Sequence, residues 1–193
     1  PDELRSLISA AETVPAPFSL IVRCLMLTGA RSSEICGLRV GDVMAVDGVM
    51  CFHIDDEHRT VKNIASVRDV PVPALVSDEI EALCTGREVD APLFEGLPSR
   101  RQGPAHKYQM DASKLIRTHV SKDKRLTQHC LRHTWRQRAG KLKIDEASRR
   151  AILGHIEGDD DHDLTYGARP DVAELADAVS RVAKSIWADT IRD

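Results

Sequence analysis

Residues 2–13 carry Leu4, Leu7 and Ile8 at the three- and four-residue spacing of an amphipathic helix. After VPAP comes FSLIVRCLMLTG, apolar on almost every side, which predicts a buried helix over 17–29 ended by Gly29. Ser32 or Ser33 is placed to cap a short helix through Leu38, with Glu34 in its first turn. The period then shortens. VMAV and VMCFHI flank Asp47-Gly48, a favoured two-residue turn, and predict a β-hairpin. SVRDVPV, after a polar stretch that contains Lys62, predicts a third strand. Helical spacing then returns over about 75–84, 107–120, 127–142, 145–153 and 171–189, and Thr127 is expected to cap the helix with His129 and Arg132. In the last helix Val172, Leu175, Val179, Val182 and Ile186 form an apolar stripe, for which packing on the chain's own core is the default. The Gly/Pro-rich stretch around 96–104 reads as a surface loop. The pattern predicts a mainly α fold with a small three-stranded antiparallel β-sheet near one edge.

Size and composition narrow the class. A chain of 193 residues with 42% hydrophobic content makes one ordinary domain with an ample core. No apolar run approaches the roughly 18 residues of a membrane span, and PDELRSLISAAE is not a secretory signal. The first residue is Pro rather than Met, so the chain reads as a fragment of a longer protein. Five cysteines (24, 36, 51, 84, 130) include no CxxC pair, as expected of reduced cytoplasmic thiols rather than a disulfide framework or a zinc site.

The net charge of −3 hides a strong asymmetry. Between Ser99 and Lys143 there are 13 Lys or Arg and only two acids, whereas the rest of the chain carries 14 basic and 28 acidic groups. That distribution suits one face steered to a polyanion and another turned away from it.

Tyr166 stands downstream of scattered cations: Arg31, Lys62, His129, Arg132 and His155. A phenol with a pKa near 10 is a poor nucleophile until positive charge stabilises its phenolate. A phosphodiester resists attack until donors neutralise its own anionic oxygens. One tyrosine with two arginines, two histidines and a lysine therefore suits tyrosine attack on a nucleic-acid phosphate. His129 and His133, four residues apart on one predicted helix, could in principle share a metal, but the Glu of an HExxH motif and a third ligand are both missing. No carboxylate cluster suits magnesium, and no cofactor is called for.

Five segments occur in a telling order: LTGARSSEICGLRVGDV, the lysine stretch ending SVRDVPVP, HCLRHTW, LGH and the terminal YG. With them the chain resembles, over nearly its full length, the catalytic domain of the tyrosine recombinases (the phage integrase family). The resemblance implies a DNA breaking-rejoining catalytic core spanning 1–193, without the DNA-clamping domain that precedes it in the family. It implies Tyr166 as the nucleophile, Arg31 and Arg132 as guanidinium forks on the scissile phosphate, and His129 as a donor or proton handler near the tyrosine. His155 would donate to a phosphate oxygen, and Lys62 would protonate the leaving 5′ oxygen from a β-hairpin. KNIAS stands where many relatives have KT followed by a serine. His133 also matches the pattern and is expected to be a buried buttress.

Tyr108, the other tyrosine, lies in the basic stretch and is expected to stack on or contact the nucleic acid. The acidic EGDDDHD ahead of Tyr166 is expected to restrain it before DNA arrives. The implied function is site-specific recombination through a 3′-phosphotyrosyl intermediate, on double-stranded DNA, without cofactor or metal. The resemblance further implies a homo-oligomer, a tetramer on DNA, with exchange of the C-terminal helix as an alternative to packing in cis, in a cytoplasmic, nucleoid-associated setting away from membranes. A type IB topoisomerase and a catalytically silent DNA-binding module stand as alternatives.

Overall fold

The computed structural model describes residues 2–55, 67–97, 103, 105–154 and 170–191. Among these, eight helices surround one core: α1 (Asp2–Glu12), α2 (Phe18–Thr28), α3 (Ser32–Cys36), α4 (Ala74–Cys84), α5 (Ala105–His119), α6 (Cys130–Lys141), α7 (Glu146–Leu153) and α8 (Val172–Ile191). Three strands, β1 (Val43–Val46), β2 (Val49–Ile54) and β3 (Arg68–Pro71), form an antiparallel sheet in the order β1-β2-β3. The mainly α architecture with a small sheet is the one the residue pattern predicts.

The hairpin closes on the pair Val46 and Val49. Asp47 and Gly48 both take positive φ, 48° and 79°, the conformation demanded by a tight turn whose twist matches the flanking strands. In β2 the side chains of Cys51, Phe52 and Ile54 are buried, and β3 pairs so that Ile54 faces Arg68. The sheet packs against α7 and α8. The buried α2 supplies the centre of the core, with Ile21, Cys24, Met26 and Leu27 fully enclosed. Burying one such side chain contributes roughly 1.5–3 kcal/mol.

Helix α8 lies on its own chain, touching α1, α2, α6 and α7, and buries Leu175, Val179, Val182 and Ile186. Two arginines fasten it. Arg138 of α6 donates to the Ser185 hydroxyl at 3.0 Å and pairs with Asp189, and Arg181 of α8 donates to the Leu142 carbonyl at 3.0 Å.

Two caps differ from expectation. Arg31, not Ser32 or Ser33, is the N-cap of α3, because the Glu34 carboxylate reaches back to its backbone. His129, not Thr127, is the N-cap of α6, and no side chain caps that helix. A backbone turn in which the Cys130 N–H donates to the Thr127 carbonyl stands in place of the expected cap.

Candidate active site

Gly29 ends α2 with φ of 70°, and two residues later Arg31 opens α3 in an extended conformation (φ −78°, ψ 150°). Glu34, three residues on, turns back over this junction. Its Oε2 accepts the Arg31 backbone N–H at 2.7 Å, and its Oε1 accepts Arg31 Nη1 at 2.7 Å. The return of a carboxylate to the first residue of a helix satisfies a donor that the helix itself cannot. The same carboxylate accepts two further hydrogen bonds from Arg68 of β3, Nη1 to Oε1 at 3.1 Å and Nη2 to Oε2 at 2.9 Å. Arg68 Nε donates to the Ile152 carbonyl in α7 at 2.8 Å. Three elements far apart in the chain therefore meet at one buried ion cluster.

Arg132 completes the cluster from the first turn of α6. Its Nη1 donates to the Gly29 carbonyl at 2.8 Å and its Nη2 to the Leu153 carbonyl at 2.5 Å. Both carbonyls belong to helix C-termini, those of α2 and α7, each closed by a left-handed glycine. The carbonyl end of a helix carries partial negative charge and favours a cation. Trp135, one turn on, holds the docking in register, its indole N–H donating to the Leu27 carbonyl at 3.0 Å.

Electrostatics follow from this crowding. Burial alone would raise the Glu34 pKa, but the charge and hydrogen bonds of Arg68, with those of Arg31, more than offset it and hold the carboxyl below its ordinary value. Burial, then repulsion from Arg31, push Arg132 down to about 10, so it remains a cation at neutral pH. His129 is held below 6.5, first by desolvation and then by His133, Arg132 and Arg31. It is therefore a neutral imidazole at pH 7, able to accept a proton.

The structure brings Arg31, His129 and Arg132 together, whereas Lys62, His155 and Tyr166, with the acidic stretch before the tyrosine, lie outside the described residues. Two expectations are corrected. His133 is exposed rather than a buried buttress, because the inward face of α6 is taken by Leu131, Trp135 and Ala139. Its ring stands edge-on to His129, with centroids 5.0 Å apart. Tyr108 is buried rather than available to nucleic acid, its ring tilted against Phe18 at 5.1 Å. Charged neighbours in sequence do not decide which way a helical residue faces.

Glu34 and Arg68 do not stand out in the sequence as site residues. The one signal was the Arg-x-x-Glu spacing at a helix start, which places a carboxylate over the first residue. Among the described residues, no group of three or more His, Cys, Asp or Glu is placed to hold a metal ion.

The model of the phage integrase family matches residues 1–159. The chain belongs to the phage integrase family. Its tyrosine recombinase fold is seen again in the crystal structure of a XerH site-specific recombinase bound to its difH substrate, a pre-cleavage complex, at 18% identity and a TM-score of 0.56. That match covers 92% of this chain and 52% of the other, so the integrase-family chain described here spans about half the length of that recombinase. Comparison with curated proteins yields no match. No helix among the described residues of this integrase-family chain is long and apolar enough to cross a membrane.

Proposed function

We propose that the chain is the catalytic domain of a site-specific DNA recombinase that cuts and rejoins strands by transesterification. The observation that carries this reading is the cluster itself: among the described residues, three guanidinium groups, Arg31, Arg68 and Arg132, gather around the carboxylate of Glu34, beside a histidine that is neutral at pH 7. Such a surplus of fixed positive charge suits an anion that gains charge as it reacts. Arg31, partly open to solvent, and Arg132 would hold the non-bridging oxygens of the scissile phosphate.

In this mechanism the Tyr166 oxygen attacks phosphorus and its phenolic proton passes to His129. The bond to the 5′ oxygen breaks, Lys62 supplies the proton to that leaving oxygen, and a 3′-phosphotyrosyl link with a free 5′ hydroxyl results. His155 would donate to a phosphate oxygen. Attack by the 5′ hydroxyl of another strand reverses the step, conserving the bond and needing no nucleotide cofactor. Double-stranded DNA is the partner, with the basic 99–143 region supplying phosphate contacts. Exchange between strands calls for several copies on DNA, and a tetramer fits that requirement.

The test is a nicked duplex carrying the protein's recombination site, cut so that the released strand diffuses away. Wild type should accumulate a protein–DNA band stable in denaturant, and Tyr166→Phe should give none. Retention of the band in Tyr166→Phe would remove that residue as nucleophile, and binding without a band in wild type would favour a silent DNA-binding module.

A further inference from the structure

Glu34 is shared unequally. Arg68 grips its carboxylate with two parallel hydrogen bonds, whereas Arg31 gives it one guanidinium nitrogen and a backbone N–H. Two-pronged arginine–carboxylate pairing is the stronger arrangement. The side chain of Arg68 is 6% exposed, with its guanidinium given to Glu34 and to the Ile152 carbonyl, whereas that of Arg31 is 36% exposed, so the outer arginine is the more open of the two to a ligand. Arg68 is also fixed from below. Its Nε is bound to the Ile152 carbonyl, and a Cβ on Gly154 would lie 2.7 Å from its Nη1 and 2.8 Å from its Cζ, so the guanidinium fills the space that a side chain at Gly154 would need.

The consequence is a division of charge. With Arg68 in place, the buried carboxylate is already matched, and the remaining donors and charge of Arg31 stay free for another anion. Without Arg68, Glu34 would lose its two-pronged partner, and Arg31, already hydrogen-bonded to it, would be attracted more strongly in this poorly hydrated setting. Arg31 would then be drawn onto Glu34 and lost to the phosphate.

We propose that Arg68 is a positioning residue that absorbs the charge of Glu34 so that Arg31 remains available to a phosphate. The claim rests on the reading of Arg31 as a phosphate clamp. It makes a prediction whose sign differs from that of a merely structural role: a second substitution should repair the first. Arg68→Met removes one positive charge and frees Glu34 to capture Arg31. Adding Glu34→Gln removes the captor and returns the cluster to the net charge of the wild type.

The experiment follows the arginine Nε–H signals by NMR during titration with inorganic phosphate, alongside the phosphotyrosyl-adduct assay. In wild type the Arg31 signal should move with phosphate. Arg68→Met should weaken that response by about 10-fold, and the pair Arg68→Met with Glu34→Gln should recover to within about 3-fold of wild type. A folded Arg68→Met protein that binds phosphate as wild type does would overturn the claim, as would a double variant weaker than the single. If Arg68→Met does not fold, the double variant and Arg68→Lys decide. A double variant that folds and binds phosphate supports the claim, with Arg68→Lys intermediate, and one that folds without binding defeats it. A wild-type protein in which Arg31 responds to phosphate but no adduct forms defeats the recombinase reading and leaves the Arg68 claim to the titration. A wild-type protein in which Arg31 ignores phosphate overturns the Arg68 claim.

Discussion

Arg132 Nη1 donates to the Gly29 carbonyl at 2.8 Å, tying the first turn of α6 to the residue that ends α2, 103 positions earlier in the chain. Gly29 can end α2 there only without a side chain. Its φ is 70°, and a Cβ would sit 2.9 Å from Leu153 Cδ2 and from Trp135 Cγ. Gly29→Ala should therefore lower stability by about 1–3 kcal/mol from backbone strain alone, with the clash adding to it. The measurement is a urea midpoint; an unchanged midpoint would mean the backbone relaxes at no cost.

His129 should titrate below the ordinary histidine value of 6.5. Desolvation is the largest cause and His133 the next, so His133→Asn should raise the midpoint, and Arg31→Met should raise it less. The group is depressed in the fold, so the unfolded chain takes up its proton first as pH falls, and stability should decline with pH from about 6.5 down to the folded midpoint. NMR of the imidazole protons reads the midpoints directly. A His133→Asn shift to lower pH would contradict the assignment.

Glu34 acts in the same sense as His129, but in a more acidic range. Burial opposes its charge, yet Arg68 and Arg31 hold its folded pKa below 4.5, so its contribution to stability is present above that value and is lost as pH falls through the folded value. Melting temperatures of wild type and Glu34→Gln should differ most near neutrality and converge in acid. A constant difference from pH 7 to pH 3 would remove Glu34 ionisation as the source.

Tyr108 is enclosed, and its hydroxyl has no hydrogen-bond partner among the described residues. An unpaired buried hydroxyl costs about 1–3 kcal/mol, so Tyr108→Phe should hold or raise the melting temperature. It should leave DNA affinity untouched. A loss of DNA binding in this variant would show that the ring is exposed in the bound state.

Ile186 is fully buried where α8 meets the core, and Ile186→Ala should cost about 2–5 kcal/mol. Arg138→Met should have a smaller effect on global stability. It should increase hydrogen exchange over Ser185–Ile191, since the fastenings to Ser185 and Asp189 lie at that end. Equal exchange in the two proteins would show that Arg138 is not needed to seat this end of the helix.

Much of this was legible in the sequence where a local rule governs. The Asp47-Gly48 turn is written in two adjacent residues, and its register follows from strand alternation. The ends of α2 and α7 are marked by Gly29 and Gly154. Arg31, His129 and Arg132, which the fold brings together, are singled out in the sequence by the characteristic order of their segments. The partnership of Glu34 with Arg68 was not legible, since the two are 34 positions apart and the spacing that marks Glu34 points to Arg31 rather than to Arg68. The facing of Tyr108 and His133 is hidden in the sequence for a related reason. Each sits among cations that suggest a working surface, whereas exposure is set by which face of α5 or α6 meets the core.

Helix α8 rests on α1, the first helix of the described chain, as well as on α6, which carries Arg132 and follows His129. Beginning and end are thus neighbours in space, and neither can be peeled off without uncovering apolar surface that the other helps to enclose. The domain should come apart in a single cooperative event rather than by fraying inward, and a break at the C-terminus should be felt at the N-terminal helix before it is felt at the hairpin turn.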